Sequence, residues 1–189
     1  SLNLTTDDRD IIDDGQWLSD KIVDAVNNIT AKHLHTETSQ TSLLAQTAVG
    51  FRSVDREMRV IYDKGHWVAA ACDNGEVLLA NSFGHNISPF VANQLKQLYR
   101  NLVDADGQLE VTTVRCMQQP NTSDCGVFAS AFVFEWATRS VQANLDVRFD
   151  VPGMRGHLRQ CLERQEVAPF PQRGPQRGTT TGALRKVRT

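Results

Sequence analysis

The chain has 189 residues, 40% of them hydrophobic and 22% charged, and carries a formal net charge of -2. Those values fit one globular domain able to bury a core without staples, and the charge balance argues against a nucleic-acid binder, whose domains are basic. Cys72, Cys116, Cys125 and Cys161 form no C-x-x-C pair, no apolar run reaches the length of a membrane span, and the first residues, SLNLTTDDRD, are unlike a signal peptide. The expected setting is therefore reducing, in the cytoplasm, the nucleus or both.

Residues 1–15 read as a polar, acidic lead-in. From Ser19 the spacing of Ile22, Val23, Val26 and Ile29 predicts an amphipathic helix capped by Ser19 or Asp20. A second short helix is predicted around TSLLAQTAV (41–49). MRVIY (58–62), HWVAAAC (66–72) and EVLLANS (76–82) read as strands joined by the hairpin turns DKG and DNG. Ser88 to Val103 carries Val91, Leu95, Leu98 and Leu102 at helical spacing, with Pro89 suited to the first turn. LEVTTVRCM (109–117) predicts a further strand. GVFASAFVFEWAT (126–138), apolar nearly all round, predicts a central buried helix with Trp136 in the core. A last helix is expected over Met154–Arg164, after a Pro152-Gly153 break. Beyond Gln172 the chain is rich in Gly, Pro and Thr, with basic residues and no acidic one, so 173–189 reads as a flexible basic tail. The fold class is α+β: a small, mostly antiparallel sheet flanked by helices.

The stretch QQPNTSDCGVF (118–128) places a thiol where the buried helix begins. Free N–H groups and the helix dipole there favour the thiolate, and the same donors can receive an oxyanion. Gly126 lets a substrate approach the backbone. A nucleophilic cysteine needs a base. Among His33, His35, His66, His85 and His157, His66 stands out by opening an apolar strand at a glycine turn, where loops carry function. Symmetry of the DNG hairpin about Asn74 sets His66 opposite Ser82, beside Asn81, whose amide can orient the imidazole. Gln119, six residues before Cys125, can offer its amide to the oxyanion, with Gln118 as a less direct substitute. Each feature alone also fits a plain core cysteine, an edge histidine, a strand-end asparagine or a solvent-facing glutamine.

The order WLSDKI (17–22), HW (66–67), NS (81–82) and QPNTSDCG (119–126) resembles the Ulp/SENP-like family of ubiquitin-like-protein-specific cysteine proteases, clan CE. All four motifs occur in the family's order. FDVPGMRGHLRQCLERQEVAPFP (149–171) is similar to the last part of such domains in some animal genomes, several apparently tied to mobile elements. The resemblance implies a papain-like site in permuted chain order, over residues 16–172. It makes Cys125 the nucleophile, His66 the base, Asn81 the orienting residue and Gln119 the oxyanion donor beside the Cys125 N–H. Most of the family has Asp where this chain has Asn81, which gives up the stabilisation an anion lends to imidazolium. Trp17 and Trp67 would cover a narrow tunnel for a diglycine tail, with Asp20 facing the tail's basic residue.

The expected activity is hydrolysis after the C-terminal diglycine of ubiquitin or a ubiquitin-like protein, by a monomer, with no cofactor or metal and no nucleic-acid or membrane partner. The modifier's globular part would meet residues 1–60 and 84–95. The acidic run Asp7, Asp8, Asp10, Asp13 and Asp14 tips that reading toward ubiquitin. The rivals are a catalytically weak or inactive modifier-binding module, to which Asn81 points, an acetyltransferase of the same clan, for which no coenzyme A site is visible, and a viral-type endopeptidase, which would not need WLSD.

Overall fold

The computed structural model describes residues 4–36, 56–84, 86–141, 144–174 and 185–189. Helices α1 (Thr6–Asp13) and α2 (Asp20–His33) precede a hairpin pair, β1 (Arg56–Tyr62), β2 (Trp67–Asp73) and β3 (Glu76–Ala80). Helix α3 (Pro89–Leu98) crosses to β4 (Glu110–Thr113), followed by α4 (Cys125–Thr138), α5 (Val151–Arg164) and β5 (Arg185–Arg188). The strands lie in chain order in one sheet, antiparallel except for the parallel β3–β4 pair. The expected α+β architecture is what the chain adopts. The short helix expected at 41–49 lies outside the described residues, as does His85.

Two tight turns set the site's end of the sheet. Asp63 and His66 exchange both backbone hydrogen bonds across Lys64-Gly65, whose φ values of 45° and 91° give the paired left-handed conformation that matches strand twist. Asn74-Gly75 does the same at the other end, with φ of 50° and 78°. The hairpin register pairs Asp73 with Glu76 and Ala69 with Ala80. It is one residue off the expected symmetry, so its extension brings His66 toward Phe83 rather than Ser82.

Helix α4 is buried along nearly its whole length and packs on β1, β2, α2 and α5. Phe128, Phe132 and Phe134 meet Phe149 and Phe170 in edge and tilted ring contacts, each buried ring adding about 2 kcal/mol. On the sheet's other face α3 supplies Val91, Leu95, Leu98 and Tyr99 against Val68, Ala70, Val77 and Leu79. Ser88 caps α3 through the Val91 N–H, with Pro89 in its first turn.

Three elements depart from the sequence reading. The lead-in is a helix: Thr5 and Asp8 form a reciprocal capping box, Ile12 is fully buried, and Arg9–Glu163 and Asp13–Arg159 pairs tie α1 to α5. Helix α5 begins at Val151, with Pro152 and Gly153 inside its first turn, where a missing N–H costs nothing. The segment assigned to a flexible tail includes β5, which pairs with β4 and closes with reciprocal bonds between Leu109 and Thr189. β5 turns Lys186 and Arg188 outward, the usual protection of an exposed sheet edge.

Arg155 fastens the start of α4. Its guanidinium donates to Asp124 Oδ1 (Nε, 2.7 Å), to the carbonyls of Ile11, Ile12 and Gln16, and to that of Ser123. One side chain of α5 thus joins the α1–α2 connection to the loop before α4.

Two outcomes follow from this packing. Arg155→Met leaves a largely buried Asp124 carboxylate without its cation and is expected to cost about 3 kcal/mol in urea unfolding; a loss below about 1 kcal/mol would show that the clamp is dispensable. Deleting residues 185–189 removes the acceptor of the Leu109 amide, so hydrogen exchange at Leu109 should accelerate and Tm should fall. Unchanged exchange would mean that β5 adds nothing to the sheet.

Candidate active site

The end of β3 brings Asn81 to the imidazole. His66 Nε2 lies 2.8 Å from Asn81 Oδ1, and the Phe83 backbone N–H donates to the same oxygen at 2.9 Å. A backbone N–H can only donate, so the atom shared by both contacts is the amide oxygen, and Nε2 must carry the proton. Nδ1 is then the unprotonated nitrogen, and it is buried without a hydrogen-bond partner. An imidazole held in this way has its lone pair free to take a proton.

Cys125 is the first residue of α4 and only 1% exposed. Burial pushes its thiol up, and the Asp124 carboxylate adds to that. The backbone N–H groups of Trp67, Gly126 and Cys125 itself pull the other way. Dehydration is the larger influence, so the helix mouth does not by itself favour the thiolate in the way its donors alone would suggest. The Trp67 contact places the sulfur beside the residue that follows His66. Asp124 makes no side-chain cap on α4, because Arg155 and Asn121 Nδ2 hold its two oxygens. The first-turn amides are therefore left without a carboxylate of their own.

The PNTSD loop folds as an Asx turn, with Asn121 Oδ1 accepting from the Ser123 and Asp124 amides. It brings back Gln119, which is 8% exposed. Gln119 Nε2 donates to the Asn121 carbonyl at 2.6 Å, and Ser82 Oγ donates to Gln119 Oε1 at 2.5 Å. The carbonyl fixes which end of the amide is nitrogen, and one N–H remains for a ligand. Ser82 binds Gln119 twice, since its carbonyl also accepts the Gln119 backbone N–H at 3.0 Å. Gln118 is exposed and donates to the Asn81 and Cys116 carbonyls, so it braces the strand ends.

The tryptophans divide. Trp17 is 53% exposed and reaches within 3.8 Å of where a Cβ on Gly65 would stand. Trp67 is 5% exposed, and its indole N–H donates to the Leu18 carbonyl at 3.0 Å. Trp67 lies on the core face of β2 and supports the WLSD segment from beneath. Asp20 is exposed in the first turn of α2. Gly126 is not an approach point for a ligand: a Cβ there would lie 3.0 Å from Leu18 Cβ and Cδ1, so the glycine makes room for Leu18. Sequence reasoning missed Ser82 as an amide lock, Phe83 beside His66, and Arg155. Of these, only Ser82 lay in a motif already singled out.

The family model described as "Ulp1 protease family, C-terminal catalytic domain" matches residues 58–165. No curated protein matches the chain. Among solved structures, the SUMO protease Ulp1 with its catalytic cysteine oxidised to a sulfenic acid is 15% identical, with a TM-score of 0.67 over 87% of this chain and 85% of that one. The Ulp1 protease domain in complex with Smt3, the yeast ortholog of SUMO, is 14% identical, with a TM-score of 0.65 over 87% and 85%. A de-sumoylating protease is 15% identical, with a TM-score of 0.62 over 86% of each chain. At such identities these likenesses show a shared fold. The family model covers more than half of the sequence, and the chain belongs to the Ulp1 protease family.

Proposed function

We propose that the chain is a thiol peptidase and isopeptidase that cleaves after the C-terminal diglycine of a ubiquitin-like modifier of the SUMO type. The observation that carries this reading is the His66–Asn81 bond, which leaves a buried, unpartnered Nδ1 beside the strand that contacts the Cys125 sulfur. A neutral thiol needs a base at the moment of attack, and this imidazole is set to be one.

In this mechanism His66 Nδ1 takes the proton from Cys125 Sγ as the sulfur attacks the glycine carbonyl. The carbonyl π electrons move to oxygen, which is received by the free N–H of Gln119 and the Cys125 backbone N–H. The C–N bond then breaks, Nδ1–H protonates the departing lysine amine, and a thioester remains. His66 next deprotonates water, which attacks the thioester and releases the carboxylate and the thiol. Asn81 holds the ring through both proton transfers. Trp17 covers the approach beside Gly65, where a flat indole leaves room for residues without side chains, and Asp20 meets the tail's basic residue.

The SUMO-type reading replaces the earlier lean toward ubiquitin. Its support is the Smt3 complex of the related Ulp1 domain. Asp8 is buried in its own capping box and bound by Lys21, and Asp13 faces Arg159. Asp7, Asp10 and Asp14 stay exposed, so the acidic run does not itself choose between the modifiers.

The test is a panel of SUMO, ubiquitin and other modifiers ending in a propargyl group. Capture of the SUMO probe, lost in Cys125→Ala, is the expected result. Capture of ubiquitin alone would overturn the modifier, and no capture by any probe would overturn the chemistry. Asn81→Ala is expected to lower kcat by about 10-fold or more, since the ring loses the contact that sets its tautomer. An unchanged kcat would remove Asn81 from the mechanism.

A further inference from the structure

Phe83 stands out because it is apolar, large and 53% exposed, at the one place where the hairpin register delivers it to His66. Its ring lies 5.0 Å from the imidazole, tilted by 38°. Its backbone N–H shares Asn81 Oδ1 with the imidazole, so the loop that carries the ring is fixed by the same amide. Trp17 is the other exposed large hydrophobe among the described residues.

We propose that Phe83 is a positioning residue for His66, whose ring face holds the imidazole plane and stabilises its protonated form by a cation–π contact. The proposal rests on His66 acting as the base. Taking the thiol proton creates a cation on His66, and the partner at Nε2 is a neutral amide, which offers a dipole but no charge. A carboxylate at that position would make a charge-assisted bond of about twice the strength. The charged residues that flank His66 and Cys125 in sequence have other partners. Asp63, in the turn before His66, accepts from Ser88 Oγ at 2.7 Å, and Asp124, at the start of α4, is held by Arg155. The Lys64 ammonium sits over Phe90 at 5.5 Å. An aromatic face within about 6 Å of a cation is a source of stabilisation that needs no formal charge, and Phe83 provides it. The same ring covers one side of the Nε2–H···Oδ1 bond from water, which strengthens that bond by lowering the local dielectric.

The experiment measures the second-order rate of Cys125 alkylation by iodoacetamide, resolved from the other thiols by peptide mass spectrometry, beside turnover of the captured modifier. Alkylation reports formation of the thiolate–imidazolium pair without requiring any modifier to bind. Phe83→Leu is expected to slow alkylation by about 5- to 10-fold, the rate equivalent of one cation–π contact, and to lower kcat with KM little changed. Phe83→Trp should restore both. In an Asn81→Asp background, where a carboxylate already faces the ring, Phe83→Leu should cost about twofold or less. Additive losses in the two backgrounds, no rescue by Trp, a rise in KM alone, or a wild-type Cys125 that resists alkylation would each overturn the proposal. Retained alkylation ratios in a protein that cleaves no diglycine substrate would sink the proposed function and leave the role of Phe83 standing. Normal cleavage with unaltered Phe83→Leu kinetics would do the reverse.

Discussion

Arg155 solves a problem that helix α4 creates. A helix apolar on every face must be buried, yet its N-terminus presents unpaired N–H groups and follows a chain of polar loop residues. Asp124 stands at that junction, and a buried carboxylate without a cation would cost several kcal/mol. Arg155 meets it and, with its remaining N–H groups, gathers carbonyls from the α1–α2 connection and from the PNTSD loop. One planar, multi-donor cation therefore fixes the sulfur's helix, the loop that returns Gln119 and the segment that carries Trp17. Lysine would not replace it, since a point charge cannot make those bonds in fixed directions.

With the Asp124–Arg155 pair set aside, the site is built from neutral groups. Burial pushes the Cys125 thiol up, His66 is fixed by an amide rather than a carboxylate, and Gln119 is locked by a hydroxyl and a carbonyl. This is consistent across levels, because a pre-formed ion pair at a sulfur this enclosed would need a compensating charge that α4 and β3 do not supply. In the proposed mechanism an oxyanion and an imidazolium arise together, and the fixed donors are already in place.

Much of the site was legible in the sequence because its parts are local. The Asn-Gly and Lys-Gly turns, the capped and Pro-started helices and the uniform apolarity of 126–138 each report their own conformation. The four motifs carry their order along the chain. What sequence could not report were facts about partners. The hairpin register differs by one residue, since turn symmetry alone does not say which residue closes the last pair, and that residue decides whether Ser82 or Phe83 faces His66. Gly126 and Trp67 both contact Leu18, which lies far away in sequence. Helix α1 has weak apolar content and depends on α5, and β5 has no pattern of its own, being held by backbone bonds to β4. Arg155 lies in a stretch that stands out only for its likeness, and its five acceptors come from two segments more than 100 residues apart in sequence.

The two exposed aromatic rings bear on why a site of this kind would select a diglycine. Large apolar rings left half in water forgo part of the hydrophobic gain that burial would give them. Trp17 lies above Gly65, at a φ of 91° where a side chain is disfavoured on conformational grounds alone. A β-carbon at Gly65 would stand in van der Waals contact with the indole, so the floor beneath Trp17 is as low as a polypeptide can make it. Phe83 sits on the other neighbour of this corner, against the imidazole. In the proposed reading a tail that approaches His66 past the Lys64-Gly65 turn meets two exposed rings, and glycine is the residue that meets them with the least bulk.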